Sequence, residues 1–159
     1  MTDRVRAAAR ARAFDVRLVV QFDVATAGLP RRATLARWVT AAAERDLAVT
    51  LRFVGAAEGR RLNARFRGHD RATNVLTFVY DDVVPPAGDL VLCVPVLERE
   101  ARAQGKALRA HCAHLVIHGM LHLQGYDHER AADAARMEAR ETALLEALRY
   151  RDPYAAAAD

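Results

Sequence analysis

The sequence predicts an α/β chain of about four strands and five helices built around one central, histidine-bearing helix. Three observations predict it. Apolar residues switch repeatedly between a period of two and a helical period along the chain. The stretch 108–123 is apolar nearly all round, the pattern of a buried helix rather than a surface one. No internal repeat or long linker interrupts the alternation, so one domain with a single core is expected.

The elements follow in order. Segment 16–24 carries Leu18, Val19, Val20 and Phe22 and reads as a strand that Gly28 and Pro30 bring to an end. Thr34 is an N-cap candidate for a helix to Arg45, with Leu35, Trp38, Val39 and Ala42 on one face. Residues 47–54 alternate, with Leu47, Val49, Leu51 and Phe53 inward, as a second strand. A helix over 56–66 comes next. Strands at 74–80 and 89–94 are joined by turn material at 81–88 that contains Pro85-Pro86. Pro95 opens the next helix, which ends at Gly105. After the histidine helix, an amphipathic helix over 131–150 presents Met137, Leu144, Leu145 and Leu148 as its inner stripe.

Length and composition bound the function. With 159 residues, 52% of them apolar, the chain has enough material for one core. A single domain is expected over 15–154, with a flexible extension at 1–14 and a frayed tail at 155–159. The extension is rich in Arg and Ala but lacks the apolar stretch of a secretory signal. No apolar run is long enough for a membrane span, and the cytoplasm is the expected compartment. Cys93 and Cys112 lie inside apolar runs and read as small buried hydrophobes of a reducing compartment. The formal charge is +4, the pI is near 9.6, and Lys106 is the only lysine, so arginine supplies nearly all the positive charge. Guanidinium engages two phosphate oxygens at once, which favours a polyanion such as nucleic acid. Coding bias toward Arg and Ala explains the same composition.

Three histidines carry the chemistry. In a helix that runs to about 123, His118 and His122 stand one turn apart on one face, and both imidazoles reach one ion. Gly125 can enter the left-handed conformation, stop the helix and swing His128 back toward the other two rings. Three protein ligands with an open fourth position are the catalytic form of zinc, whereas structural zinc takes four. The spacing H-x-x-x-H-x-x-G-x-x-H matches the metzincin protease pattern, but Gly119 stands where those enzymes carry their glutamate base. A glycine moves no proton, so peptide hydrolysis would lack its second group. His111 and His114 precede on the same side, since residues 111, 114, 118 and 122 fall within an arc of roughly 80° at about 100° per residue. His114 is a candidate for a supporting or pocket role, and His111 for a solvated or core position. Asp127, beside the third ligand, could be a general base, orient a histidine or cap the turn.

The run His118-Gly119-Met120-Leu121-His122-Leu123-Gln124-Gly125-Tyr126-Asp127-His128 resembles the signature of the YbeY family. Leu62-Asn63-Ala64-Arg65-Phe66-Arg67, Asp70 and Thr73-Asn74-Val75-Leu76-Thr77-Phe78 resemble that family's LNxxYRxxDxxTDVLSF segment. Gly88-Asp89-Leu90, Met137-Glu138 with Glu141, and Asp152-Pro153-Tyr154 extend the likeness, which runs from about 16 to 154. The departures at Phe66, Asn74 and Thr77 are conservative and touch no ligand. The resemblance implies a four-stranded, mostly parallel or mixed sheet, one zinc ion on His118, His122 and His128, and a basic groove beside it. It implies a metal-dependent, single-strand-specific endoribonuclease acting in rRNA maturation, at the 3′ end of 16S rRNA, and in ribosome quality control. The implied partners are single-stranded RNA or rRNA and the ribosome or small-subunit proteins.

The family's conserved arginine is carried onto Arg65, expected to hold the scissile phosphate, with Arg67 and Arg71 extending a phosphate-binding strip. The other reading of Arg65 is a solvated arginine at a helix end. Asp127 and His114 are the candidates for the group that moves protons. If the ribose 2′-hydroxyl is the nucleophile, the product is a 2′,3′-cyclic phosphate and DNA resists. Two other functions stay open. One is a ribosome-associated assembly factor with structural zinc, which accounts for the basic charge equally well. The other is a zincin-like protease, which Gly119 disfavours and for which Met137, inside the last expected helix, makes no methionine turn.

Overall fold

Alternating burial sets the strands. In β2 (Leu47–Val54) the side chains of Leu47, Val49, Leu51 and Phe53 all turn inward, as period-two patterning requires. β2 pairs in parallel with β1 (Val16–Phe22), from Val16 opposite Leu47 to Phe22 opposite Phe53. On its other side it pairs in parallel with β4 (Ala87–Cys93), which is antiparallel to β3 (Val75–Tyr80). The sheet is therefore mixed, in the order β1-β2-β4-β3, with β3 at an edge. The computed structural model describes residues 13–154. The expected extension lies outside the described residues except for Ala13 and Phe14, and the expected tail lies wholly outside them.

Five helices complete the described architecture: α1 (Arg32–Ala42), α2 (Ala56–Arg67), α3 (Val94–Ala103), α4 (Leu108–Leu123) and α5 (Ala131–Ala147). The two faces of β4 separate them. Leu90 and Leu92 join α1, α4 and α5 in the main core, while Val91 and Cys93 face Leu62 of α2 and Val96 of α3 in a smaller one. Helices α2 and α4 thus lie over opposite faces of the sheet. As expected, α4 is central: Cys112, Val116, Ile117, Met120 and Leu121 are fully buried. Each large apolar side chain among them contributes about 1.5–3 kcal/mol from burial.

Two glycines let α4 and β4 approach closely. A Cβ at Gly119 would stand 2.9 Å from a methyl of Leu90, and one at Gly88 would stand 2.1 Å from a methyl of Leu123. Position 119 therefore faces the sheet. Its glycine is explained by helix–strand packing, and a glutamate there would have no room to turn toward the histidines.

Several boundaries differ from expectation for identifiable reasons. Helix α1 begins at Arg32, because Arg31 after Pro30 is extended (φ −73, ψ 158) and accepts Leu35 N–H; Thr34 lies inside the first turn and caps nothing. It ends at Ala42, where the Gln124 side chain takes over, donating to Ala42 O (2.9 Å) and accepting from Glu44 N–H (2.6 Å). Strand β1 ends at Phe22, and β4 already begins at Ala87. Helix α5 ends at Ala147 in a Schellman turn, with Tyr150 N–H on Leu145 O (2.7 Å) and Arg149 left-handed at φ 70. Both cysteines are free and buried, and burial pushes the Cys112 thiol up to about 12. No helix among the described residues is long and apolar enough to cross a membrane.

Candidate metal centre

The last turn of α4 and the reversal after it bring three imidazoles together. His118 and His122 project one turn apart, with ring centroids separated by 4.7 Å. Gly125, at φ 100, closes a Schellman turn in which Tyr126 N–H reaches Leu121 O (3.0 Å) and Gly125 N–H reaches His122 O (3.1 Å). The chain doubles back, and the His128 ring comes to 4.7 Å from His122 and 5.7 Å from His118. One ligand atom from each of the three lies within 4.8 Å of the others. Asp127 fixes this reversal: its Oδ1 accepts the N–H of His128 (2.7 Å) and of Glu129 (3.2 Å). That is a turn cap, one of the three roles open to it from sequence.

The hydrogen bonds on the rings test whether a metal fits. His122 Nδ1–H donates to Tyr126 O (3.0 Å), and His118 Nδ1–H donates to Glu141 Oε1 (2.5 Å). An imidazole that donates from Nδ1 keeps its lone pair on Nε2, so both rings hold the tautomer that ligates through the nitrogen facing the triad. Burial first, then the neighbouring His118 and His128 rings, push the His122 imidazole below its ordinary pKa. The neutral form is the ligating one, so the donor set suits a divalent ion.

Glu141 is the residue the sequence reading missed. It lies on α5, is 0% exposed, and accepts three hydrogen bonds: from His118 Nδ1–H, from His114 Nε2–H (2.9 Å) and from the Tyr154 hydroxyl (2.5 Å). Burial pushes its carboxyl up, but these three donors and the His118 charge more than offset this and hold it down at about 2. Burial first, and then the same carboxylate, raise the Tyr154 hydroxyl. A signal was available, because Glu141 is the one acid on the inner stripe that runs through Met137, Leu144, Leu145 and Leu148.

The structure separates the other expected site residues. His114, His118 and Glu141 also cluster within 4.8 Å. Their N···O separations of 2.9 and 2.5 Å are hydrogen-bond lengths, shorter than two ligands at about 2.0–2.2 Å from one tetrahedral ion would show. His114 thus sits behind the triad, braced on Glu141. His111 is buried, with Nε2 3.0 Å from Glu100, and burial pushes its pKa down; this is the core position of its two alternatives.

Arg65 is on α2, over the face of the sheet opposite α4. Its guanidinium lies 5.2 Å from the Phe66 ring centre, and it lines a shallow groove with Arg61 and the Arg60–Asp70 ion pair. The register of the Leu62–Arg67 segment also puts the arginine that follows the aromatic at 67, not 65. Arg67 donates to Thr77 O on the edge strand (2.6 Å) and packs over Phe78. Arg67, rather than Arg65, follows the aromatic in this segment, and both arginines belong to α2.

Comparison with known proteins identifies the family. A sequence model of the family described as Endoribonuclease YbeY matches residues 29–149. A protein of Aromatoleum aromaticum named Endoribonuclease YbeY is 60% identical over 126 residues, spanning 79% of this chain and 82% of that protein. A Nitrosomonas eutropha protein of the same name is 52% identical over 137 residues, spanning 86% and 97%. The solution structure of a Thermotoga maritima protein is similar in fold, with a TM-score of 0.53 and 25% identity over 89% of this chain and 99% of that one. The reversal that gathers His118, His122 and His128 lies within the matched span, and the chain belongs to the YbeY endoribonuclease family.

Proposed function

We propose that this chain is a metal-dependent, single-strand-specific endoribonuclease whose metal is one zinc ion on Nε2 of His118, His122 and the ring of His128. The observation that carries the reading is the tying of His118 and His122 through Nδ1, which leaves their Nε2 atoms to converge with His128. An all-nitrogen, three-ligand set favours zinc with a position left open. When bound, zinc supplies Lewis acidity for phosphodiester hydrolysis.

The chain's own residues supply the rest. Glu141 holds the His118 ring in place from behind. Arg67, which reaches the edge strand, is assigned to a backbone phosphate of the bound strand, with Arg65 and Arg71 as further phosphate contacts. His114 is assigned to proton transfer as the histidine of the same helix face that lies beside the three ligands without being one of them. Asp127 presents His128 through the turn it caps.

RNA as substrate is supported by the activity for which the relatives are named and by the arginine-dominated charge of +4. We assign the finer roles to the same reading: rRNA maturation at the 3′ end of 16S rRNA, ribosome quality control, contact with the ribosome or small-subunit proteins, and a cytoplasmic location. The test uses purified protein, with and without chelator and as His122→Ala, on single-stranded RNA, the matching DNA and an unstructured protein. RNA cleavage that chelator abolishes and His122→Ala lacks is the expected result, with DNA left intact. Intact RNA with zinc-loaded protein would sink the reading, and cleavage of the protein substrate would favour a protease.

A further inference from the structure

Toward the N-terminal end of the histidine face of α4, a cleft of about 870 Å³ opens between Asn74, the α3–α4 connection and the segment after α5. That volume suits a single nucleotide-sized group. Lys106, Arg149 and Arg151 stand along it, facing two acids, Glu100 and Asp152. Both acids are held by neutral donors and keep their charge. Glu100 accepts from His111 Nε2–H (3.0 Å) and from Asn74 Nδ2 (3.2 Å), and Asp152 accepts from the Thr142 hydroxyl (3.2 Å) and Tyr154 N–H (2.8 Å). The three cations make no side-chain hydrogen bond or close ion pair among the described residues; burial lowers the Lys106 pKa, and the nearby Glu100 offsets part of this. The cleft therefore holds three basic side chains against two acids, an excess of positive charge that is partly desolvated at Lys106.

Arg149 supplies an independent pointer. Among the described residues it is the one non-glycine with positive φ, at the C′ position of a Schellman turn where glycine is the unstrained choice. A side chain kept where the backbone disfavours one argues for what that side chain does. The cleft is also joined to the triad. His114 and Tyr154 both line it, and both bond Glu141, which bonds His118. The rings of His114 and His118 are 6.2 Å apart.

We propose that this cleft is a subsite for the nucleotide next to the cut, with Lys106, Arg149 and Arg151 on its phosphate and Tyr154 against its base. The proposal rests on the nuclease reading and deepens it. Base stacking on an exposed tyrosine is sequence-tolerant, so the subsite selects an unpaired strand rather than a particular base.

The test measures binding of a short labelled single-stranded RNA to metal-free protein by fluorescence anisotropy over a range of salt. Wild type is compared with Arg149→Gly and with Arg149→Gly/Arg151→Gln, alongside cleavage by the zinc-loaded wild type. Arg149→Gly should melt at or near the wild-type temperature, because glycine suits φ 70. The double variant should bind about tenfold more weakly, with a salt slope shallower by about 0.7 for each cation lost. Unchanged affinity and slope in the double variant, with wild type still cutting RNA, would overturn the subsite and leave the nuclease standing. Binding that depends on these arginines without any cleavage by wild type would keep the subsite and remove the nuclease.

Discussion

The two halves of one helix face differ in what their nitrogens meet. Toward the C-terminus of α4, His118 and His122 have Nδ1 tied back, and one nitrogen from each comes within 4.8 Å of a half-exposed His128. One turn earlier, His114 Nε2 and His118 Nδ1 close onto Glu141, a carboxylate with no exposure at all. Residue types and helical spacing are the same in both halves. The second partner decides the outcome: a buried acid at 2.5 and 2.9 Å takes the hydrogens and leaves no room for an ion, whereas the reversal at Gly125 brings a third imidazole and leaves room. His118 belongs to both halves, so the clamp on its Nδ1 sets the direction of its Nε2.

The largest effect should come from breaking the open half. His122→Ala removes a ligand without touching Glu141, so zinc binding and RNA cleavage should both fall by more than about a hundredfold. Competition of the variant against a colorimetric zinc chelator, with thermal melting of the zinc-free protein as control, measures this. Retained stoichiometric zinc would assign the metal elsewhere.

The closed half should be visible in acid stability even without metal. Folding lowers the Glu141 carboxyl from 4.5 to about 2, so between those values the unfolded chain binds more protons. The contribution is present in full above 4.5 and is lost as the pH falls through about 2. Its size is on the order of 3 kcal/mol. Urea unfolding of zinc-free wild type and Glu141→Gln at several pH values should give curves that converge toward acid. Parallel curves would deny the clamp.

The same comparison marks what could be read from sequence. α4 was legible to the residue because a helix buried on every side carries apolar residues all round. Its stop was legible because the left-handed turn needs Gly125, and the metal set followed from those two facts. Gly119 was legible as a missing base, but not its packing reason, Leu90, which lies on a strand whose facing residue no local pattern reveals. The end of α1 was hidden for the same reason, since Gln124 comes from the far side of the chain. The clamp was half legible. An acid on an apolar stripe announces a buried partner, but not which of four histidines it meets. Arg65 was placed by analogy alone, and α2 puts it over the other face.

Between these extremes, Glu141→Gln in the zinc-loaded protein keeps the shape of the clamp but presents an amide donor to one of its two histidines. Zinc affinity should drop about 10–100-fold while the three ligands remain. His114→Gln separates bracing from proton transfer in the same half. If His114 moves a proton, kcat falls and zinc affinity holds; if it only braces Glu141, zinc affinity falls with it. Isothermal titration beside initial-rate kinetics reads both.

The smallest effect is expected from Tyr154→Phe, which removes one of the three donors to Glu141 and leaves both histidines in place. A hydrogen bond to a charged acceptor contributes about 1.5–3 kcal/mol when buried, but Tyr154 is 46% exposed, so water can replace much of it. A loss of about 1 kcal/mol in the zinc-free protein is therefore expected, with zinc affinity changed by less than about tenfold. The carboxyl should lose part of its depression, so the acid limb of the stability profile should move upward in pH, toward 4.5. A shift of that limb without a change in zinc affinity would mean that the two histidines alone set the His118 ring. A loss of zinc affinity as large as that of Glu141→Gln would mean that the clamp acts as one unit, closed by the tyrosine.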